Sequence, residues 1–135
     1  MRFEDWPERL AAVIAKHDEV PFDYGFSDCA QLPFEVVEAL TGVRPDLFVG
    51  EYHDAAGARA RMRERGANHL AELFAKALPE IAPAFAGRGD IGIADYPGAI
   101  IGGGVVVIGL DLVGKGYDGT VRLPRTALSR AFKVE

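Results

Sequence analysis

One cysteine, three histidines and one tryptophan are all that these 135 residues hold of those types. A single thiol excludes an intrachain disulfide framework and any metal site built on paired thiolates. The histidines, His17, His53 and His69, show no HxH or HxxxH spacing and have no thiolate near them in sequence, so neither a metal nor a cofactor is expected. Nothing after His69 is a histidine, which leaves residues 70–135 without an imidazole. Basic residues are outnumbered, 15 Lys and Arg against 20 Asp and Glu, for a net charge of −5. That balance repels nucleic-acid phosphate, and no basic patch interleaved with aromatics offsets it, so nucleic acid is not an expected partner. The longest apolar run, "AIIGGGVVVIGL" (99–110), is too short and too rich in glycine to span a bilayer. "MRFEDWPERL" is charged and helix-starting rather than a signal peptide. With a thiol that is stable when reduced or buried, synthesis in the cytoplasm and no membrane insertion are expected.

What is present is an ordinary globular composition, 49% apolar and 26% charged, in one domain over 1–135. That length suffices to bury roughly two-thirds of the surface of the unfolded chain. The spacing predicts a helix over about 6–16, capped by Asp5, with Pro7 in its first turn and Glu8 completing a capping box. Leu10, Val13, Ile14 and His17 share its apolar stripe with Trp6. A second helix is expected to begin at Cys29, capped by Asp28, with Gln31 closing the box and Gly42 at its end. Pro33, beyond the first turn, predicts a distorted start. Two shorter helices are expected over about 55–65 and 69–78, the first ended by Gly66 and the second capped by Asn68.

The chain then changes character. Short Ile and Val runs separated by Gly, Asp and Pro predict an antiparallel meander over 90–94, 98–102, 105–109 and 119–123. "LPRTALSR" reads as a single helical turn and "AFKVE" as a final strand. Helices first and strands second make an α+β arrangement. "IGGGVVVIGL" lacks the spacing and the following helix of a dinucleotide fingerprint, and its adjacent glycines predict a tight turn or a close backbone approach. In "RGD" (88–90), Asp90 is expected to bond back to its own loop amides.

The stretch "PFDYGFSDCA" (21–30) raises the one chemical question. A cysteine at a helix start gains from the N–H groups and the positive end of the dipole, which favour thiolate. The bland alternative is as well founded, because Cys29 shares an apolar face with Leu32, Val36 and Leu40. Asp28 also opposes a thiolate by like charge. Among possible bases, His17 reads as a cap at the end of the first helix, His69 as an exposed first-turn residue, and His53 as the least implausible base.

"YGFSDCAQLPFEVVEALTG", followed later by "RGDIGI", resembles the papain-like cysteine peptidases of the NlpC type, which cleave cell-wall peptides. The chain from Phe3 to Val134 is similar to a small phage-encoded branch of that superfamily found among tail-assembly genes, through "WPERL", "PFDYGFSDCA", "FVGEY", "RGD", "GLD" and "AFKV". The resemblance implies a papain-like core, N-terminal helices packed on a small curved antiparallel sheet, and a catalytic helix opened by an Asp-Cys pair, here Asp28 and Cys29. It also implies a histidine base on the strand after the Arg-Gly-Asp turn. That base falls at Gly98 or Ala99, and neither is a histidine. General acid–base catalysis contributes about 10² to 10⁴-fold, and amide cleavage needs a proton for the departing nitrogen. The resemblance therefore implies the fold with Cys29 vestigial, in a structural or assembly component of a phage tail or tail-like particle. Such a protein is made in the bacterial cytoplasm, with other tail or tail-tip proteins as partners. The alternatives are a peptidase or amidase on peptidoglycan stem peptides with Cys29 as nucleophile, or a module binding such peptides in a cleft lined by Tyr24, Phe26, Asp28, Tyr96, Gly98 and Ala99. The loop "TGVRPDLFVGEYHD" (41–54) offers Phe48 and Tyr52 as interface aromatics, beside a basic helix at 59–65.

Overall fold

The structure is a computed structural model in which residues 1–45, 49–97, 99 and 102–135 are described. Helices occupy the first half of the chain and strands the second, the α+β order expected.

Helix α1 spans Trp6–Glu19 and buries Leu10, Val13, Ile14 and His17 along one stripe, with Trp6 partly covered. It runs three residues beyond the expected Lys16. Asp5 precedes it without capping it: its carboxylate accepts from the Arg9 guanidinium at 2.8 Å. Pro7 explains why, since the second helical residue, one of the donors an N-cap serves, has no N–H to give. At the other end, the Lys115 ammonium donates to the carbonyls of His17 (2.5 Å) and Val20 (2.6 Å). A cation there meets the negative end of the helix and satisfies carbonyls that have no intrahelical partner.

Helix α2 spans Gln31–Thr41 and ends on Gly42, whose φ of 74° and N–H to the Glu38 carbonyl form a left-handed cap. Asp28 does cap it: Oδ1 accepts from the N–H groups of Ala30 (2.9 Å) and Gln31 (2.8 Å). Cys29 was expected as the first helical residue and lies instead in the turn just before α2. Pro33 is the reason. The N–H groups of Leu32 and Phe34 reach back to Asp28 and Ala30, but Pro33 has none for the Cys29 carbonyl between them.

Helix α3 spans Ala55–Glu64, with Asp54 capping the Gly57 N–H and Gly66 in the left-handed region just beyond its end. Helix α4 spans Leu70–Ala77, and His69 rather than Asn68 is its cap, through Nδ1 on the Ala71 N–H at 3.0 Å.

Among the described residues the sheet has six antiparallel strands in the order β1-β6-β2-β3-β4-β5: β1 Glu80–Ile81, β2 Ile91–Ala94, β3 Gly104–Val107, β4 Asp111–Gly116, β5 Gly119–Pro124 and β6 Leu128–Phe132. Short 3₁₀ turns, Pro83–Phe85 and Arg125–Ala127, follow β1 and β5. The second of these is the helical turn expected in "LPRTALSR". The final strand starts earlier than "AFKVE". No strand was expected at β1 or β4. The expected strand at 98–102 falls partly on residues 98, 100 and 101, outside those described, and Ala99 lies in the connection between β2 and β3. Register pairs Ile91 with Val106 and with Phe132, and Val105 with Gly114. β2 and β3 are buried throughout. Helices α2 and α4 lie on this centre, as the edge-to-face stack of Phe34 on Phe74 (5.0 Å) and of Phe74 on Phe132 (5.6 Å) shows.

Asp90, of the Arg-Gly-Asp turn, bonds back to its loop as expected, Oδ2 accepting from the Gly87 N–H at 2.7 Å. It also accepts from the Val134 N–H and the Arg2 guanidinium, both at 3.0 Å.

Candidate functional site around Cys29

The loop 21–30 folds back on itself through a bridge between Asp23 and Ser27, with Gly25 supplying φ 84°. This turn points the Asp28 carboxylate inward. Besides the two α2 donors on Oδ1, Oδ2 accepts from the Gly25 N–H (2.9 Å) and the Tyr52 hydroxyl (2.5 Å). Asp28 is thus a buried hub with four hydrogen bonds. Burial pushes the Tyr52 hydroxyl far above its ordinary value, and the neighbouring Asp28 charge adds to this. Tyr52 also receives a longer hydrogen bond from the Gln31 amide, at 3.4 Å.

Cys29 is 1% exposed. The N–H groups that would favour its thiolate, those of Ala30 and Gln31, are already bound by Asp28. The Asp28 carboxylate takes the positive end of α2. On the sheet side, Tyr96 is buried and donates to the Gly104 carbonyl at 3.0 Å. Burial first, and then the Cys29 sulfur, raise its hydroxyl well above the usual tyrosine range.

The strand residue that abuts the Cys29 turn is Gly104, at the start of β3. A Cβ built there would fall 2.0 Å from the Cys29 carbonyl oxygen, with Pro33 and Leu70 close behind. No side chain fits this position. Sequence reasoning had looked for the base at Gly98 or Ala99. Gly98 lies outside the described residues, and Ala99 lines a separate cavity of about 270 Å³ with His69 and Ser129. Each histidine has another station. His69 caps α4, His53 is exposed, and His17 is buried with its ring between Ser27 and Glu35.

The aromatics expected to line one cleft are dispersed. Tyr24 packs edge-on against Phe22 (4.9 Å) and Tyr117 (6.0 Å) and shares a hydrogen bond with the Tyr117 hydroxyl. Burial, and then that bond, raise its pKa to about 12. Phe26 is exposed with its ring against Gly50, and Tyr96 lies over Gly114 of β4. Tyr52, expected as a surface anchor, is 2% exposed and belongs to the core. The need of a buried carboxylate for donors explains this better than any partner does. Phe48 lies outside the described residues.

The group that sequence reasoning missed is the Ser27–His17–Glu35 set. Ser27 Oγ lies 2.7 Å from His17 Nδ1, and His17 Nε2 lies 3.3 Å from Glu35 Oε2, at ion-pair distance but off a hydrogen-bond axis. Lys16 donates to the other Glu35 oxygen at 2.7 Å. Burial opposes the Glu35 charge, but His17 and Lys16 outweigh it and hold the carboxyl below its ordinary value. The one available signal was His17 on an apolar helical stripe, a polar residue that needs a partner there.

Among the described residues, no cluster of three or more His, Cys, Asp or Glu side chains could hold a metal, and no helix is long and apolar enough to cross a membrane. The chain belongs to the family described as domain of unknown function DUF6950, which it matches over residues 1–134. No curated protein and no solved structure matches it.

Proposed function

We propose that this chain is an interaction domain of a phage tail or tail-like particle, built on a papain-like, NlpC-type core whose peptidase centre has been retired. The observation that carries the reading is Gly104. A cysteine-led amide cleavage needs an imidazole presented to the sulfur. Here the strand position against the Cys29 turn has its side-chain space filled by the Cys29 carbonyl itself. Asp28, which binds the N–H groups that would stabilise a thiolate, supports the same reading. The motifs around Cys29 and Asp90 are then fold-determining: one caps α2, and the other ties the Arg-Gly-Asp turn to Arg2 and Val134. The partners are other tail or tail-tip proteins.

Two measurements test this. Purified chain incubated with peptidoglycan stem peptides should release no product above a Cys29→Ala control. Affinity capture of the chain from cells producing the particle should retrieve other tail proteins. Turnover that vanishes in Cys29→Ala would restore the peptidase or amidase reading. Tight stem-peptide binding without turnover would favour the cell-wall-binding module.

A further inference from the structure

A pocket of about 530 Å³ opens between the end of α1, the 21–27 loop and the outer face of α2. Ser27, Gln31, Glu35 and Lys16 line it, along with Val20, Phe26 and Val49. Those last three are large apolar residues left 37%, 54% and 40% exposed. Beneath them stands a nucleophile, an imidazole and a carboxylate in series: Ser27 Oγ, His17 Nδ1 at 2.7 Å, and Glu35 Oε2 at 3.3 Å from His17 Nε2. His17 is fully buried, and its Nε2 has no hydrogen bond of its own, so the ring is not explained as a satisfied core histidine. We propose that Ser27, His17 and Glu35 form an acyl-transfer site, separate from Cys29, that hydrolyses small carboxylic esters bearing an apolar acyl group.

For Nδ1 to accept the Ser27 proton, Nε2 must carry the ring proton, and Nε2 is the nitrogen that faces Glu35. Through its charge at 3.3 Å rather than through a hydrogen bond, Glu35 favours the competent tautomer and steadies the imidazolium that forms. Ser27 Oγ attacks the ester carbonyl carbon while Nδ1 takes its proton. The carbon–oxygen bond to the alcohol then breaks, and the departing oxygen receives that proton, leaving an acyl ester on Ser27. Water, deprotonated by Nδ1, attacks this ester, and its collapse releases the carboxylic acid and returns the proton to Ser27. The Lys16 and Arg44 cations in the lining, each also paired with a glutamate, are the charged donors that the pocket offers to the developing negative charge. The exposed faces of Val20, Phe26 and Val49 suit an apolar acyl chain. Ser27 and His17 are the catalytic residues, and Glu35 is a positioning residue.

The test is hydrolysis of p-nitrophenyl butyrate by the whole chain, with labelling by a fluorophosphonate and peptide mapping of the adduct. The label should map to Ser27. Hydrolysis should fall to the buffer rate in Ser27→Ala, drop about 10² to 10⁴-fold in His17→Gln, and stay unchanged in Cys29→Ala. Glu35→Gln should lower kcat with little change in KM, because the serine–imidazole pair loses its orienting carboxylate, and Glu35→Asp, which keeps the carboxylate, should restore most of that loss. Because His17 is buried, Ser27→Ala is the decisive variant, and its melting curve is taken alongside. No label on Ser27 in a folded protein, or hydrolysis that survives Ser27→Ala, overturns the proposal. An unchanged kcat in Glu35→Gln removes Glu35 from it.

Discussion

Asp28 accepts four hydrogen bonds, and its donors come from its own turn, from the start of α2 and from Tyr52, twenty-four residues on. A carboxylate so supplied organises structure, because loss of its side chain orphans several buried donors at once. Asp28→Ala combines the loss of a helix cap, about 0.5–2 kcal/mol, with unpaired N–H groups and an unpaired tyrosine hydroxyl at about 1–3 kcal/mol. Tyr52→Phe removes one donor of the four. Urea denaturation should therefore show a markedly larger loss for Asp28→Ala than for Tyr52→Phe, and equal losses would refute the hub. Gly104 makes the complementary point on the strand side. Its substitution by alanine puts a methyl against the backbone carbonyl of Cys29, which has no rotamer through which to withdraw. Gly104→Ala should cost at the upper end of the ~1–3 kcal/mol typical of overpacking, read as a fall in Tm; a neutral outcome would mean that the Cys29 turn is not held against β3.

Among the elements, helix positions were legible from apolar periodicity, reinforced by a following glycine at α2 (Gly42, after Leu32, Val36 and Leu40) and α3 (Gly66). Caps were less so. Asp5 has the residue type of a cap, but Pro7 and Arg9 divert it, and His69 displaces Asn68. Strand β4 escaped notice because "DLVGKG" carries a lysine and two glycines where a strand interior should be apolar. Lys115 is buried only because the end of α1 presents two carbonyls to it, a tertiary fact with no local signal. The Cys29 turn was placed by Asp28, whereas Ser27, His17 and Glu35 meet only once the loop is folded between α1 and α2. Glu35 links those helices electrostatically, with a folded pKa below its ordinary 4.5. A depressed carboxyl stabilises the fold above its unfolded pKa, and that contribution disappears as pH falls through the folded value. Glu35→Gln should thus lose stability at neutral pH, with the gap from the parent closing below about pH 4.5. Parallel stability curves over that range would show that the carboxylate contributes nothing through its charge.

At the scale of the whole molecule, a chain with helices in one half and strands in the other must bring its distant segments together, and Asp90 is where this one does so. Its carboxylate, at 0% exposure, receives the Arg2 guanidinium from the N-terminal segment, the Val134 N–H from the C-terminal segment and the Gly87 N–H of its own turn. Arg2 extends the clamp by donating to the carbonyls of Val134 and Arg88, both at 2.7 Å, and by stacking over Trp6 at 4.4 Å. The two partners are not equivalent. Arg2 is partly exposed, so its loss leaves Asp90 with two backbone donors and lets water approach. Asp90 is fully enclosed, and its removal leaves two backbone amides and one N–H of the Arg2 guanidinium without their acceptor. Taking away one member of a buried charged pair typically costs about 3–5 kcal/mol, a large part of the total stability of a single domain. Asp90→Ala should unfold at much lower urea than Arg2→Ala, and its transition should remain a single cooperative step by both far-ultraviolet circular dichroism and Trp6 fluorescence, since Trp6 reports on the clamp. If the two probes separate, or if Arg2→Ala is the more damaging change, the Arg-Gly-Asp turn is not the point at which the helical and sheet halves are joined.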